Sequence, residues 1–144
     1  MKLEKCLQIG IVVNNIDEAV EAYEKYGIGP WQKRNFSSQK LGLTVKGKGE
    51  NLEFGCAVCE HSGFELELIQ PVSEGTFMEW LRKHGPSVHH ISLVPSEGYN
   101  TFIKEFTDGG SRVDTEVISP DGTKGFAYLD TVAQLGFHTE ILKR

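Results

Sequence analysis

Gln8, Glu67, His90 and Glu140 are the residues of this chain whose types could do chemistry together. Three oxygen-bearing side chains and one imidazole form a donor set that suits one divalent ion, whether Zn, Ni, Co, Mn or Mg, and leaves coordination places for water or substrate oxygens. A cation on a carbonyl oxygen stabilises the enolate left when an adjacent proton is removed. A carboxylate beside it can take and return that proton. Singly, each residue has an ordinary role: Gln8 as a sheet-edge amide, Glu67 and Glu140 as solvated strand carboxylates, His90 as a hydrogen-bonded histidine. What groups them is their placement in two matching halves of the chain.

The first half opens with a strand-like stretch at residues 7–13. Asn15 then caps a helix, with Glu18 at the capping-box position and Ile16, Ala19, Val20 and Tyr23 at helical spacing. Gly27 and Gly29-Pro30 end it. Short β-like stretches follow to residue 69, clearest at 52–59 and 64–69. After Pro71, Phe77, Trp80 and Leu81 suggest a connector helix over about residues 75–84, closed by Gly85-Pro86. The pattern then recurs: a strand at 88–94, a helix capped by Ser96 with Tyr99, Phe102, Ile103 and Phe106 on one face, and strands at 112–118, 126–130 and 137–142. Pro120-Asp121-Gly122 is a hairpin turn signal. The chain therefore reads as a single α+β domain, residues 1–144, built of two β-α-β-β-β modules (5–71 and 87–144) that form a cupped mixed sheet.

Aligning the modules sets Gln8 opposite His90 in the first strands and Glu67 opposite Glu140 in the last. Side chains alternate along a strand. Leu7, Ile9, Ile11 and Val13 thus share the face under the helices with Phe64, Leu66 and Leu68, and the four polar residues share the other face. A pseudo-twofold would bring them together. On the same reasoning His89 points away from His90 and packs, while Glu65 and His138 lie on the ligand face as supporting residues.

Two further features carry weaker signals. Cys56 and Cys59 have CxxC spacing, but residues three apart on a strand face opposite ways, which favours buried apolar thiols over a metal or redox pair. Between residues 25 and 49 there are basic residues and no acidic one. Lys33, Arg34, Lys46 and Lys48 in that stretch could hold a phosphate or carboxylate of a substrate, and Gly42, Gly47 and Gly49 would let it act as a lid.

The chain has 15 Lys+Arg against 20 Asp+Glu, a net charge of -5, which argues against a nucleic-acid partner. Its apolar stretches are too short for a signal sequence or a membrane span, so a cytoplasmic protein without a disulfide framework is expected.

At these residues the chain resembles the vicinal oxygen chelate superfamily, which includes glyoxalase I, methylmalonyl-CoA epimerase, extradiol dioxygenases and drug-resistance binding proteins. The stretch Glu67-Leu68-Ile69-Gln70-Pro71, through Phe77-Met78-Glu79-Trp80-Leu81-Arg82-Lys83-His84-Gly85, to Val88-His89-His90-Ile91 is similar to the epimerase pattern. The resemblance implies a metal ligand at each of positions 8, 67, 90 and 140. Zinc-type glyoxalase I uses Gln, Glu, His and Glu in that order, whereas the epimerases place His first. Glyoxalase I also holds glutathione with an arginine four residues after the first ligand, where this chain has Val12. Extradiol dioxygenases need two His and one carboxylate, which Gln8 does not supply. The resemblance thus implies a metal-dependent epimerase, isomerase or lyase acting next to a carbonyl, with Glu140 as leading base and Glu67 on the opposite face. Its expected substrate is a small molecule, an acyl-CoA or other anionic carbonyl compound, and its expected assembly a homodimer. A non-catalytic binding protein of the resistance type is the alternative, although such a pocket favours aromatic walls over carboxylates.

Overall fold

The computed structural model describes residues 1–144. In chain order its elements are β1 (Leu3–Val12), α1 (Ile16–Lys25), β2 (Gln32–Ser37), β3 (Thr44–Gly47), β4 (Glu53–His61), β5 (Phe64–Pro71), α2 (Thr76–His84), β6 (Ser87–Pro95), α3 (Tyr99–Asp108), β7 (Val113–Ile118), β8 (Gly125–Leu129), α4 (Val132–Leu135) and β9 (His138–Lys143). All nine strands join one mixed sheet in the order β2-β4-β5-β1-β6-β9-β8-β7-β3. Leaving out β3 at the far edge, the order is symmetrical about the β1–β6 pair. β1 runs parallel to β5, β6 runs parallel to β9, and β1 and β6 meet antiparallel.

Apolar alternation explains how the sheet is covered. Helix α1 buries Ile16 and Val20 against Ala57 and Leu68 on the outer face, and α3 buries Tyr99, Phe102 and Phe106 against Ala127, Leu129 and Ile141. Asn15 Oδ1 accepts the Glu18 N–H at 2.9 Å, the cap expected of α1. The expected Ser96 cap of α3 does not form. That helix starts after Gly98, and the Ser96 hydroxyl donates instead to Glu97.

Helix α2 does something different: it plugs one end of the inner face. Phe77 and Trp80 pack there with Val12, Leu52, Phe54, Ile69, Val117 and Tyr128. The cup is therefore apolar and closed at the α2 end and open at the other.

The glycine-punctuated segment expected as a lid is hydrogen-bonded structure for much of its length. β2 pairs along β4, and β3 crosses to the far edge of the sheet to pair with β7, with Lys46 opposite Glu116. Gly47 is required at that crossing. It adopts φ 111°, and a Cβ there would stand 2.2 Å from the Asp114 carbonyl oxygen.

Simple alternation fails where the register shifts, and two of these β-bulges matter most. Gly10 pairs with His90 and Ile11 with Val88, so β6 carries one extra residue, His89, between them. Val113 pairs with Leu129 and Thr115 with Tyr128, so β7 likewise carries Asp114 as an extra residue. His89 does not face away from His90 as expected. The bulge turns it onto the inner face, where it packs on Phe77, Trp80, Tyr128 and His138.

Candidate active site

Gln8 on β1, Glu67 on β5, His90 on β6 and Glu140 on β9 meet at the centre of the inner face. His90 Nε2 lies 2.9 Å from Gln8 Oε1, 3.6 Å from Glu140 Oε2 and 3.9 Å from Glu67 Oε1. The Gln8 amide nitrogen donates to Glu65 Oε1 at 2.7 Å, so Glu65 stands behind Gln8 and fixes which end of the amide points inward. His138 Nδ1 is 3.1 Å from the Leu129 carbonyl oxygen, and its ring lies against His89. His90 is fully buried and its ring lies directly over β1. Only glycine permits this: a Cβ on residue 10 would be 2.1 Å from His90 Cε1. A glycine within an otherwise apolar strand is the signal in the sequence for that approach.

These groups open on a cavity of about 480 Å³. Its walls carry Phe64, Phe126, Tyr128 and Leu142, with Glu65, Glu67 and Glu140 at the base, and its cations are Lys5 and Arg144. The four cations expected to bind substrate stand elsewhere. Lys33 is paired with Asp17, and Arg34 donates to Gln32, both lining a separate cavity beside α1. Lys46 sits on the edge strand β3. Lys48 bridges Asp114 and Glu79 at 2.9 and 2.8 Å behind α2. Their basic stretch is threaded through β2 and β3 at opposite edges of the sheet, which scatters it.

The electrostatics follow from burial. The Glu67 carboxyl is pushed up to about 8 by burial first, then by the charges of Glu140 and Glu65, with Arg34 opposing. Glu140 is pushed up to about 7, again by burial first; Glu65 adds to the rise, and the Ser92 and Tyr128 hydroxyls oppose it. Burial also holds the His90 imidazole down to about 3, so it is neutral at physiological pH. Cys56, one of three free thiols, is pushed up to about 11 chiefly by burial, which suits packing rather than reactivity.

The donor set can be tested against a metal ion. Ligand atoms about 2.1 Å from a tetrahedral ion stand roughly 3.4 Å apart. The separations about His90 Nε2, 2.9 to 3.9 Å, bracket that value. No three His, Cys, Asp or Glu side chains are disposed as they stand to hold a metal ion. The Gln8 oxygen would therefore have to be counted among the donors. The donor types suit a divalent ion, and a cation would also answer the crowding of carboxyl oxygens that raises both glutamates.

Residues 7–129 match the Glyoxalase/Bleomycin resistance protein/Dioxygenase superfamily. The chain belongs to that superfamily. Among solved structures it is similar to Streptomyces coelicolor methylmalonyl-CoA epimerase in complex with 2-nitronate-propionyl-CoA, at 22% identity and a TM-score of 0.66, over 98% of this chain and 94% of that one. It is also similar to methylmalonyl-CoA epimerase from Mycobacterium tuberculosis, at 16% identity and a TM-score of 0.60, over 97% and 87% of the two chains. These likenesses show the fold, a curled mixed sheet of the vicinal oxygen chelate type. No curated protein matches the chain in sequence. No helix is long and apolar enough to cross a membrane.

Proposed function

We propose that this protein is an enzyme of the epimerase kind, moving a proton on the carbon next to a carbonyl in an acyl-CoA or related anionic substrate. The observation that carries the reading is the pair of buried carboxyls, Glu67 and Glu140. They come from different strands on either side of His90 and hold protons up to about pH 8 and 7. An acid and a base poised near neutral pH are what a two-way proton transfer needs.

In this reading Gln8, Glu67, His90 and Glu140 would hold one divalent ion, which would supply positive charge beside the substrate carbonyl and so lower the cost of an enolate. The Glu140 carboxylate takes the proton from the adjacent carbon, and the C–H electron pair moves toward the carbonyl. Glu67, when it carries a proton and so stands off the ion, returns that proton to the opposite face. One proton leaves and one arrives, so configuration inverts and the two carboxyls exchange protonation. Tyr128 and the α2 plug keep the inner end of the cup dry. Lys5 and Arg144 offer charge to an anionic substrate. The neighbouring epimerase structures, which hold 2-nitronate-propionyl-CoA in one case and methylmalonyl-CoA in another, support an acyl-CoA class.

The order Gln, Glu, His, Glu also favours a glyoxalase reading. Against it, Val12 is fully buried in the core under α2 and offers nothing to a glutathione carboxylate. Poor turnover of the methylglyoxal hemithioacetal of glutathione is therefore expected.

The test is Glu140→Gln with methylmalonyl-CoA in deuterated buffer. Exchange at the carbon beside the thioester should fall by about 10²- to 10⁴-fold, with bound metal measured in the same sample. Wild-type exchange rates with metal retained would remove Glu140 as the base. No exchange in the wild-type protein, with ligand bound, would favour a sequestering protein instead.

A further inference from the structure

The two halves of the chain finish their central strand pairs differently. In the alignment that sets Gln8 opposite His90 and Glu67 opposite Glu140, Val12 answers to Val94 and Ile69 to Leu142. In the first half the pairing of β1 with β5 runs past Gly10 and Glu67 to Val12 and Ile69. Both are fully buried in one cluster with Phe77 of α2. In the second half the pairing of β6 with β9 stops at Ser92 and Glu140. Val94 and Leu142 are only half-buried, and they pack into none of the three core clusters.

Where that pairing stops there is a second cavity of about 200 Å³, lined mainly by Leu93, Val94 and Pro95 of β6 and by Leu7, Leu142 and Arg144. Leu7, Leu142 and Arg144 also line the cavity over Glu67 and Glu140, so the two spaces adjoin. A register shift shapes their common wall. Cys6 pairs with Leu93 and Gln8 with Ser92, which leaves Leu7 as an extra residue of β1. Leu142 lies two residues beyond Glu140 on β9, about 6.7 Å along the strand. The annex therefore opens beside the proposed base, and its apolar side chains are the ones the fold leaves uncovered.

Resting on the proton transfer proposed above, we propose that this annex receives an alkyl or aromatic substituent on the reacting carbon of the substrate, and that Val94 and Leu142 set the specificity for it. The substituent does for Val94 and Leu142 what Phe77 does for Val12 and Ile69: it takes their apolar surface out of water. A methyl group is too short to span about 6.7 Å, so the preferred substrate carries a longer chain. Apolar side chains outnumber the single cation on the annex walls, which suits a hydrocarbon group better than a second anion.

The test offers the full chain a series of malonyl-CoA thioesters substituted at the central carbon with methyl, propyl, pentyl or benzyl. Deuterium exchange at that carbon gives kcat/KM, and calorimetry gives affinity. In wild type both should rise from methyl to pentyl by about fourfold per methylene, the worth of burying one CH₂, and the benzyl compound should also exceed methyl. Val94→Asp, which puts a charge in the annex, should flatten the series. Val94→Phe, which fills it, should reverse the order. A flat series in a wild type that exchanges the methyl compound overturns the proposal and leaves the proton transfer standing. A rise that survives both substitutions overturns it too, since the chain then lies elsewhere. So does a 4-carboxybutyl compound preferred over pentyl, which would put an anion in the annex. A dimer that Val94→Asp dissociates shows a second copy covering Val94 and Leu142, and it likewise overturns the proposal. Affinity that rises with chain length in a protein that exchanges nothing supports the annex and removes the proton transfer; binding of no member overturns both.

Discussion

Asp114 and the pair Glu67 and Glu140 are buried carboxylates on the inner face of the same sheet, yet their protons behave in opposite ways. Asp114 sits behind α2 with Lys48 at 2.9 Å and the Thr115 hydroxyl donating to it, and its carboxyl stays below the ordinary range. Glu67 and Glu140 face each other across His90 with no cation in contact, and both are raised. The same burial thus gives a fixed anion at one end of the cup and two proton-holding groups at the other. What differs is the neighbour. An ion pair makes the back of the cup a scaffold, and the lack of one makes the front chemically poised.

Removing the neighbour should break the contrast most strongly. Lys48→Met leaves the Asp114 charge buried without its cation. Stability measured by urea unfolding at pH 7 should fall by about 3 kcal/mol, the lower end for a broken buried pair, because Lys48 keeps 34% of its side chain in water. A loss under half a kcal/mol would show that the Thr115 hydroxyl and the surrounding packing hold Asp114 without Lys48.

pH separates the two ends next. Unfolded glutamates release their protons near 4.5, whereas folded Glu140 and Glu67 hold theirs to about 7 and 8. The raised pair contributes stability that is complete below about pH 4.5 and is lost as pH rises through 7 to 8. Asp114 has the opposite sign: its contribution is present above 3.8 and is lost as pH falls through its depressed pKa. In chelator, the melting temperature should therefore decline between pH 6 and 8.5. Zinc at about 100 times its dissociation constant should add about 2.7 kcal/mol and flatten that decline, since it replaces the protons. A chelated melting temperature that rises across this interval would contradict the raised carboxyls.

How much of this arrangement is legible in the sequence depends on where the strands are regular. The meeting of Gln8, Glu67, His90 and Glu140 at one place follows from the internal repeat and two-residue alternation, because the parallel pairs β1–β5 and β6–β9 keep their register there. The three longer helices follow from apolar spacing, and α1 from its Asn15 cap as well; the short α4 does not. Alternation could not place His89 or Asp114, since a bulge adds a residue without an obligatory sequence mark. Lys33, Arg34, Lys46 and Lys48 stand away from the cavity for a related reason. Their segment is continuous in sequence, but β3 leaves its neighbours to pair with β7 on the far edge, which no local pattern encodes. The cations that do line the cavity, Lys5 and Arg144, lie near the chain ends, in β1 and just after β9.

Glu67→Gln gives the smallest effect and the sharpest form of the contrast, because its sign should depend on zinc. The amide keeps the shape of the side chain and removes a charge that burial and the Glu140 and Glu65 carboxylates oppose. At pH 8.5 in chelator, where the wild-type pair is driven to ionise, the variant should be more stable by on the order of 1 kcal/mol, a common scale for a single substitution. With zinc present the order should reverse, since an amide oxygen is a weaker donor than a carboxylate and the added stabilisation shrinks with affinity. Asp114→Asn should show no such reversal: it abandons Lys48 and is destabilised in both conditions. A Glu67→Gln protein that is less stable than wild type in chelator would mean that ionised Glu67 has a favourable partner, and the front of the cup would then be a scaffold like the back.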